Sequence, residues 1–366
     1  MNRHPITIIA CLVLLTMSTL AQADYAGAFA ARKMARTDSD GNGQIDKQEA
    51  GQQWASLKAL DANGDEVLTL KELKAVKIPS LATQGDKKLN VLYKQTPEED
   101  LYLDLYYPTT KQQQKCPLVV YTHGGGWAAG SKDGIVRGSF ASVATELLEH
   151  GFCVATVNYR LWRPDGKVAM RDCVIDCKDA IRYLSKNSES LEIDPQRVFS
   201  FGDSAGGQIA QMLLLTAPDA LPGDASLSEY NYKMVAGVSW YGPCDFENTD
   251  LFNHDDREGF RDRFGPRILP AGSTPDQKTK LYREMSPVNY LRQDSPPLLM
   301  IQGDKDTTIP VKHAFRIQQQ AEQLKAPVEI LIVHNAGHNW RRVGEEIAPS
   351  RKAIEERTVK FFIDHK

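Results

Sequence analysis

From about residue 88 the chain alternates strand-length apolar runs with helical stretches, and that alternation leaves few folds open. The runs are LVVYTH, FCVATVNY, RVFSFG, MVAGVSWYG, PLLMIQG and VEILIVH. They are short, rich in β-formers and almost continuously apolar, as strands are when helices cover both faces of a parallel sheet. Between two of them Val174, Cys177, Ile181 and Leu184 recur at helical spacing. The pattern predicts an α/β domain with a doubly wound, mostly parallel sheet over residues 90–366. Chemistry in such a sheet belongs at the C-terminal ends of the strands.

The strand ends carry nucleophile chemistry. RVFSFG runs into Gly202-Asp203-Ser204-Ala205-Gly206 and then a helical stretch. This is G-x-S-x-G in the strand–turn–helix setting that presents a serine hydroxyl, here Ser204, clear of the backbone. A serine hydroxyl is a weak nucleophile and needs a base, itself held by a third group. After PLLMIQG comes Asp304-Lys305-Asp306, and after VEILIVH comes Asn335-Ala336-Gly337-His338. The order Ser, Asp, His assigns Asp306 as the acid, with Asp304 as its rival, and His338 as the base. His334 belongs to the strand end. His338 would accept the Ser204 proton while Asp306 fixes the tautomer and stabilises the imidazolium.

A third element is YTHGGGW, residues 121–127, directly after a strand. Consecutive glycines let backbone N–H groups face a developing oxyanion. Gly125, Gly126 and Ala205 are the expected donors, with Gly124 a substitute. A phosphate loop is excluded because no G-K-[ST] follows. His123 reads as a structural hydrogen bonder.

Taken together, LYLDLYYP, HGGGW, VNYRL, GDSAGG, WYGPCDF, SPVNYL, GDKDTTIP and NAGH resemble the hormone-sensitive-lipase-like and BD-FAE-like esterases of the α/β-hydrolase superfamily over roughly residues 90–366. The resemblance implies a carboxylic ester hydrolase working through an acyl-enzyme without a catalytic cofactor. It implies short acyl or aryl esters, or acetyl and feruloyl groups on polysaccharides, as substrates. After NYRL this chain reads WRPDGK where many relatives carry A-P-E, so that loop is expected to differ. A polar insertion at 244–297 is expected to form part of a lid. Trp127, Trp162, Trp240 and Tyr241 are candidates either for pocket walls or for core.

Near the other end, DSDGNGQIDKQE places Asp38, Asp40 and Asn42 at positions 1, 3 and 5 of a twelve-residue loop. Gly43 is at 6, the Gln44 carbonyl at 7, Asp46 at 9 and Glu49 at 12, the pattern of an EF-hand calcium site. DANGDEVLTLKE repeats it with Asp61, Asn63, Asp65, the Val67 carbonyl, Thr69 and Glu72, but puts Glu66 where glycine belongs. A side chain there must take a positive φ at a cost of about 1 kcal/mol or more. AGQQWASLKAL between the loops reads as one short helix. The loop starts are 23 residues apart, tighter than a usual EF-hand pair and similar to dockerin-like modules. A small all-α EF-hand-like domain is expected over residues 24–77, then a linker over 78–89. Met34 is the only methionine between 24 and 80, which speaks for a structural or docking calcium site and against a target-gripping sensor.

Residues 1–23 have the form of a secretory signal: Arg3 and His4, an apolar stretch from Ile6 to Leu20, then Ala21-Gln22-Ala23. Export to the periplasm or medium is expected, with no stable membrane insertion after cleavage. Five cysteines follow: Cys116, Cys153, Cys173, Cys177 and Cys244. The odd number leaves at least one outside any intrachain bridge, and all five read as small buried hydrophobes. A net charge of −3 gives no footprint for nucleic acid. Two other readings stay open: an amidase or peptidase on the same triad, and a calcium-dependent docking module with a hydrolase-fold scaffold.

Overall fold

The computed structural model describes residues 25–77, 79–110, 115–253 and 261–366, so the signal expected at 1–23 lies outside the described residues. The chain divides into two compact units, one of residues up to Ser80 with Leu89–Tyr102, the other of Leu81–Lys88 with Leu103–Lys366.

The smaller unit begins with a helix over residues 25–37 (α1). β1 (Gln44–Asp46), α2 (Lys47–Ala50), α3 (Trp54–Leu57), β2 (Val67–Thr69) and α4 (Leu70–Lys74) follow. The all-α expectation needs correction, because β1 and β2 pair antiparallel with Ile45 opposite Leu68. The single helix expected between the loops is broken. Gly51, at φ 49°, ends α2, and 3-10 turns flank α3. The spacing of Trp54, Leu57 and Leu60 still serves a core, which they form with Ala30, Met34, Ile45, Leu68 and Leu73. Asp46 and Thr69 each cap the following helix in a reciprocal box with Glu49 and Glu72.

The larger unit is organised by the sheet. The elements from there on are β3 (Lys87–Gln95) and β4 (Asp100–Tyr106), both divided between the two units, then β5 (Cys116–Thr122), α5 (Gly138–Glu149), β6 (Cys153–Val157), α6 (Met170–Lys186), β7 (Ile193–Asp203), α7 (Ala205–Leu215) and β8 (Met234–Trp240). After α8 (Gly265–Ile268) and α9 (Pro275–Glu284) come β9 (Leu298–Gly303), α10 (Lys312–Leu324), β10 (Val328–Val333) and α11 (Arg351–Asp364). The strand order is β10-β9-β8-β7-β5-β6-β4-β3. β5 through β10 run parallel and β4 is antiparallel to β6. All six predicted runs are strands, and β5, β6 and β9 are buried along their whole lengths. Strand begins at Lys87, inside the stretch expected as linker. All five cysteines are buried. Among the described residues no helix is long and apolar enough to cross a membrane.

Candidate active site

Ser204 stands between β7 and α7 with φ 51° and ψ −119°, a conformation that costs a residue with a Cβ free energy and turns its side chain out of the strand. Its own N–H donates to Trp240 O at 2.9 Å. The flanking glycines are demanded by close approach. A Cβ on Gly202 would stand 2.1 Å from Gly206 O, and one on Gly206 2.0 Å from Thr122 O. Ser204 is 9% exposed, so the hydroxyl is sheltered from bulk water without being sealed.

His338 follows β10 and reaches both neighbours: Nε2 is 3.0 Å from Ser204 Oγ and Nδ1 is 2.7 Å from Asp306 Oδ2. Asp306 follows β9, and its carboxylate is itself held. Oδ1 accepts from the N–H of Thr308 and Ile309 at 2.7 and 2.9 Å. Gln302 Nε2 donates to Oδ2 at 3.3 Å. The rival Asp304 turns away, with Oδ2 3.4 Å from Nδ1 of His334. The Tyr241 ring lies edge-on to His338 at 4.8 Å and is backed by Trp340 at 4.7 Å.

HGGGW leaves the end of β5 beside this group. Among the described residues none accepts from the N–H of Gly125, Gly126 or Ala205, the last being the first residue of α7. Gly124 is otherwise engaged, its N–H donating to Asp203 Oδ1 at 2.8 Å. That removes it as a substitute donor. Tyr121 Oη donates to the same Oδ1 at 2.8 Å. Asp203 thus ties the nucleophile turn to the glycine loop, a role its place inside GDSAGG hinted at and sequence reasoning missed. Burial pushes its carboxyl up from the ordinary range, against the lowering by Tyr121 and Gly124. His123 is structural, with its ring stacked on Tyr159 at 4.2 Å and Nδ1 2.8 Å from Gly124 O.

Of the four candidate aromatics, Trp127, Trp240 and Tyr241 are buried. Trp127 Nε1 donates to Gln208 on α7 at 3.1 Å, and Trp240 Nε1 to Thr358 at 3.0 Å. Trp162 is partly exposed in the departing WRPDGK loop and donates to Pro266 O at 3.1 Å. That loop docks on the insertion, where the N–H of Ala271 donates to Gly166 O at 3.3 Å. The insertion also touches the glycine loop, through Arg267 Nη1 donating to Gly126 O. Trp127, Phe246, Phe252 and Phe264 pack as one aromatic cluster beneath it. Positive φ is concentrated here, at 58° for Trp127, 51° for Ser204, 40° for Tyr241 and 56° for Trp340.

The two acidic loops of the smaller unit fold alike. Gly43 N–H donates to Asp38 Oδ2 at 2.9 Å, and Glu66 N–H to Asp61 Oδ2 at 3.0 Å. Glu66 accepts the glycine conformation at φ 60°, and its side chain pairs with Lys47 at 3.2 Å. The loops differ in their carboxylates. Asp38, Asp40 and Glu49 bring oxygens within 4.8 Å of one another, a set matched to a hard cation; the second loop forms no such group among the described residues. Backbone and side-chain hydrogen bonds, from Asp46 and Ser39 foremost, hold the Glu49 carboxyl below its ordinary value.

Residues 103–321 match the BD-FAE family. The chain is 27% identical over 267 residues to esterase LipC of Mycobacterium tuberculosis, covering 72% of this chain and 62% of LipC. It is 35% identical over 276 residues to a probable isoprenylcysteine alpha-carbonyl methylesterase of Oryza sativa subsp. japonica, covering 73% and 60%. The chain spans 46% to 62% of the length of the first curated relatives it matches. Among solved structures it is similar to the butyrate-bound esterase Est2 of Thermogutta terrifontis, at TM-score 0.61 and 22% identity, covering 78% of this chain and 95% of that one. A truncated carbohydrate esterase from gut microbiota is similar at TM-score 0.61 and 22% identity, covering 79% and 99%. These structural likenesses concern the fold. With the family matched over more than half its length, the chain belongs to the BD-FAE family and carries an α/β-hydrolase fold.

Proposed function

We propose that this protein is a serine esterase that hydrolyses carboxylic esters through an acyl-enzyme. The observation that carries the reading is the continuous relay from Ser204 through His338 to Asp306 beside three N–H groups that meet no acceptor among the described residues. In the first half-reaction Ser204 Oγ bonds to the ester carbonyl carbon as its proton passes to His338 Nε2. Asp306 holds Nδ1–H and stabilises the imidazolium. The N–H groups of Gly125, Gly126 and Ala205 receive the oxyanion. His338 then gives the proton to the departing alcohol oxygen, and the C–O bond breaks. Water repeats the sequence on the acyl-enzyme and releases the acid. Short acyl or aryl esters and ester decorations of polysaccharides are the proposed substrates, in line with the esterase and methylesterase names of similar proteins. The test is Ser204→Ala, which abolishes hydrolysis of p-nitrophenyl acetate with an unchanged circular dichroism spectrum; undiminished hydrolysis overturns the reading.

The acidic loops support a second, separate role. Asp38, Asp40, Asn42, Asp46 and Glu49 side chains and the Gln44 carbonyl are proposed to hold calcium, with Asp61, Asn63, Asp65, Val67, Thr69 and Glu72 a weaker second set. Calcium would cross-link the loop to the start of α2 and stabilise the smaller unit; it takes no part in ester chemistry. A rise in melting temperature on adding calcium, lost in Glu49→Gln, is the expected result, and an unchanged melt overturns it. The protein is proposed to be exported after cleavage behind Ala23, which N-terminal sequencing of the periplasmic or secreted form would check.

A further inference from the structure

Among the described residues, one cation beside the glycine loop has no countercharge. Arg267 lies in α8 of the insertion, its guanidinium 5.7 Å from the Trp162 ring centroid and 5.3 Å from that of Phe264. Its Nη1 occupies the space a Cβ on Gly126 would fill, 2.1 Å from that position, and donates to Gly126 O. Other cations of the insertion are paired: Arg261 with Asp250 at 3.3 Å, Lys278 with Asp262 at 2.7 Å, Arg283 with Glu247 at 3.7 Å. Among the described residues no carboxylate reaches Arg267, and its nearest charged influence is a second cation, Arg263, also over the Phe264 ring at 5.3 Å. A partly buried charge is costly unless compensated. Two aromatic faces and one carbonyl compensate only in part, and they leave the rest of the guanidinium's donor fork unspent.

We propose that Arg267 receives a negatively charged group of the substrate, so that preferred esters carry a carboxylate a short distance from the scissile carbonyl. The inference rests on the esterase reading above and deepens it. Gly126 is an expected oxyanion donor, so an ester whose carbonyl oxygen sits there has its acyl or alcohol portion within reach of the guanidinium. A planar fork suits a carboxylate and can bind it through two parallel hydrogen bonds.

Two substrate pairs test this at low ionic strength. The first is 4-acetoxybenzoate against methyl 4-acetoxybenzoate, with charge on the alcohol side. The second is monoethyl adipate against ethyl hexanoate, with charge on the acyl side. Each kcat/KM is corrected for the ester's alkaline hydrolysis rate. The wild type is expected to favour the charged member of at least one pair by about tenfold or more. Arg267→Gln brings that ratio close to one, and so does Arg267→Met, which keeps an unbranched stem between the two rings. The ratio is the readout because Arg267 also holds the Gly126 carbonyl, and any loosening of the loop slows both members alike. No charged preference in the wild type, or an unchanged ratio in either folded variant, overturns the proposal while leaving the esterase reading intact. Failure to hydrolyse any of the four esters overturns both.

Discussion

Replacing Gly206 by alanine tests how closely the nucleophile turn and the glycine loop depend on each other. The added Cβ meets Thr122 O at 2.0 Å and His123 O at 2.6 Å, both of them backbone atoms. Neither can rotate away, so α7 and the end of β5 must part by roughly 1 Å before the contact is tolerable. The Thr122 Oγ1–Gly206 O hydrogen bond of 2.7 Å joins the same two segments and is strained by the same movement. Ala205 lies one residue before the new methyl, and Gly125 and Gly126 lie three and four beyond Thr122. The displacement therefore opens the proposed oxyanion site from both sides. Donors must stand at about 2.7–3.1 Å from the oxyanion, and losing one costs about 10²–10³ in turnover. The expected result is a fall in kcat of about 10² or more, equivalent to about 2.7 kcal/mol of barrier. Stability changes less, because overpacking of about 1–3 kcal/mol is partly offset by the better helix propensity of alanine. Steady-state hydrolysis of a short aryl acetate and a thermal melt measure the two. Gly134→Ala is the control, since its nearest atoms lie 3.9 Å away, and it should leave activity within a factor of about two. Gly206→Ala retaining a third or more of wild-type kcat would refute the close-contact reasoning.

Asp306→Asn should lower kcat by about 10⁴, whereas Asp304→Asn should change it by less than about threefold, because Asp304 serves His334; steady-state kinetics of both variants decide which aspartate counts. Lys178 is buried, with Nζ donating to Thr216 Oγ1 at 2.9 Å and Ala217 O at 2.8 Å, and burial lowers its pKa from 10.5 to about 7. Between these values the unfolded chain holds more protons than the folded one, so Lys178 makes stability rise with pH from about 7 to 10.5. Lys178→Met should remove that rise and stabilise the neutral-pH protein, read from denaturant midpoints across the window. Glu66→Gly should relieve about 1 kcal/mol of positive-φ cost and lose an exposed ion pair worth about 0–1 kcal/mol. A melt no lower than wild type is expected, with calcium response preserved.

The sheet was legible because inner parallel strands such as β5, β6 and β9 bury both faces, and a continuous apolar run leaves little else to read. β3 left no such trace: KKLNVLYKQ buries only Asn90 and Tyr93, lies at the sheet edge and carries three lysines. Ser204, Asp306 and His338 could be placed because chain order and strand ends locate them, and the hydrogen bonds distinguish Asp306 from Asp304. Asp203 and Arg267 act across 79 and 141 residues of chain, and no local spacing announces a contact that distant. The short helices around Gly51 escaped for a different reason. Their residues have helical spacing, but the break is a backbone matter that one glycine decides.

The left-handed residues Trp127, Ser204, Tyr241 and Trp340 also bear on how the protein could be engineered. Each holds a conformation worth about 1–3 kcal/mol less than an ordinary one, so the molecule keeps a reserve of recoverable stability at the candidate active site. Selection for heat resistance alone would draw on that reserve, relaxing these turns or replacing them with glycine, and turnover would decline as the melting point rose. Exposed helix surfaces such as that of α9, far from all four turns in sequence, are where stability can be added without that exchange.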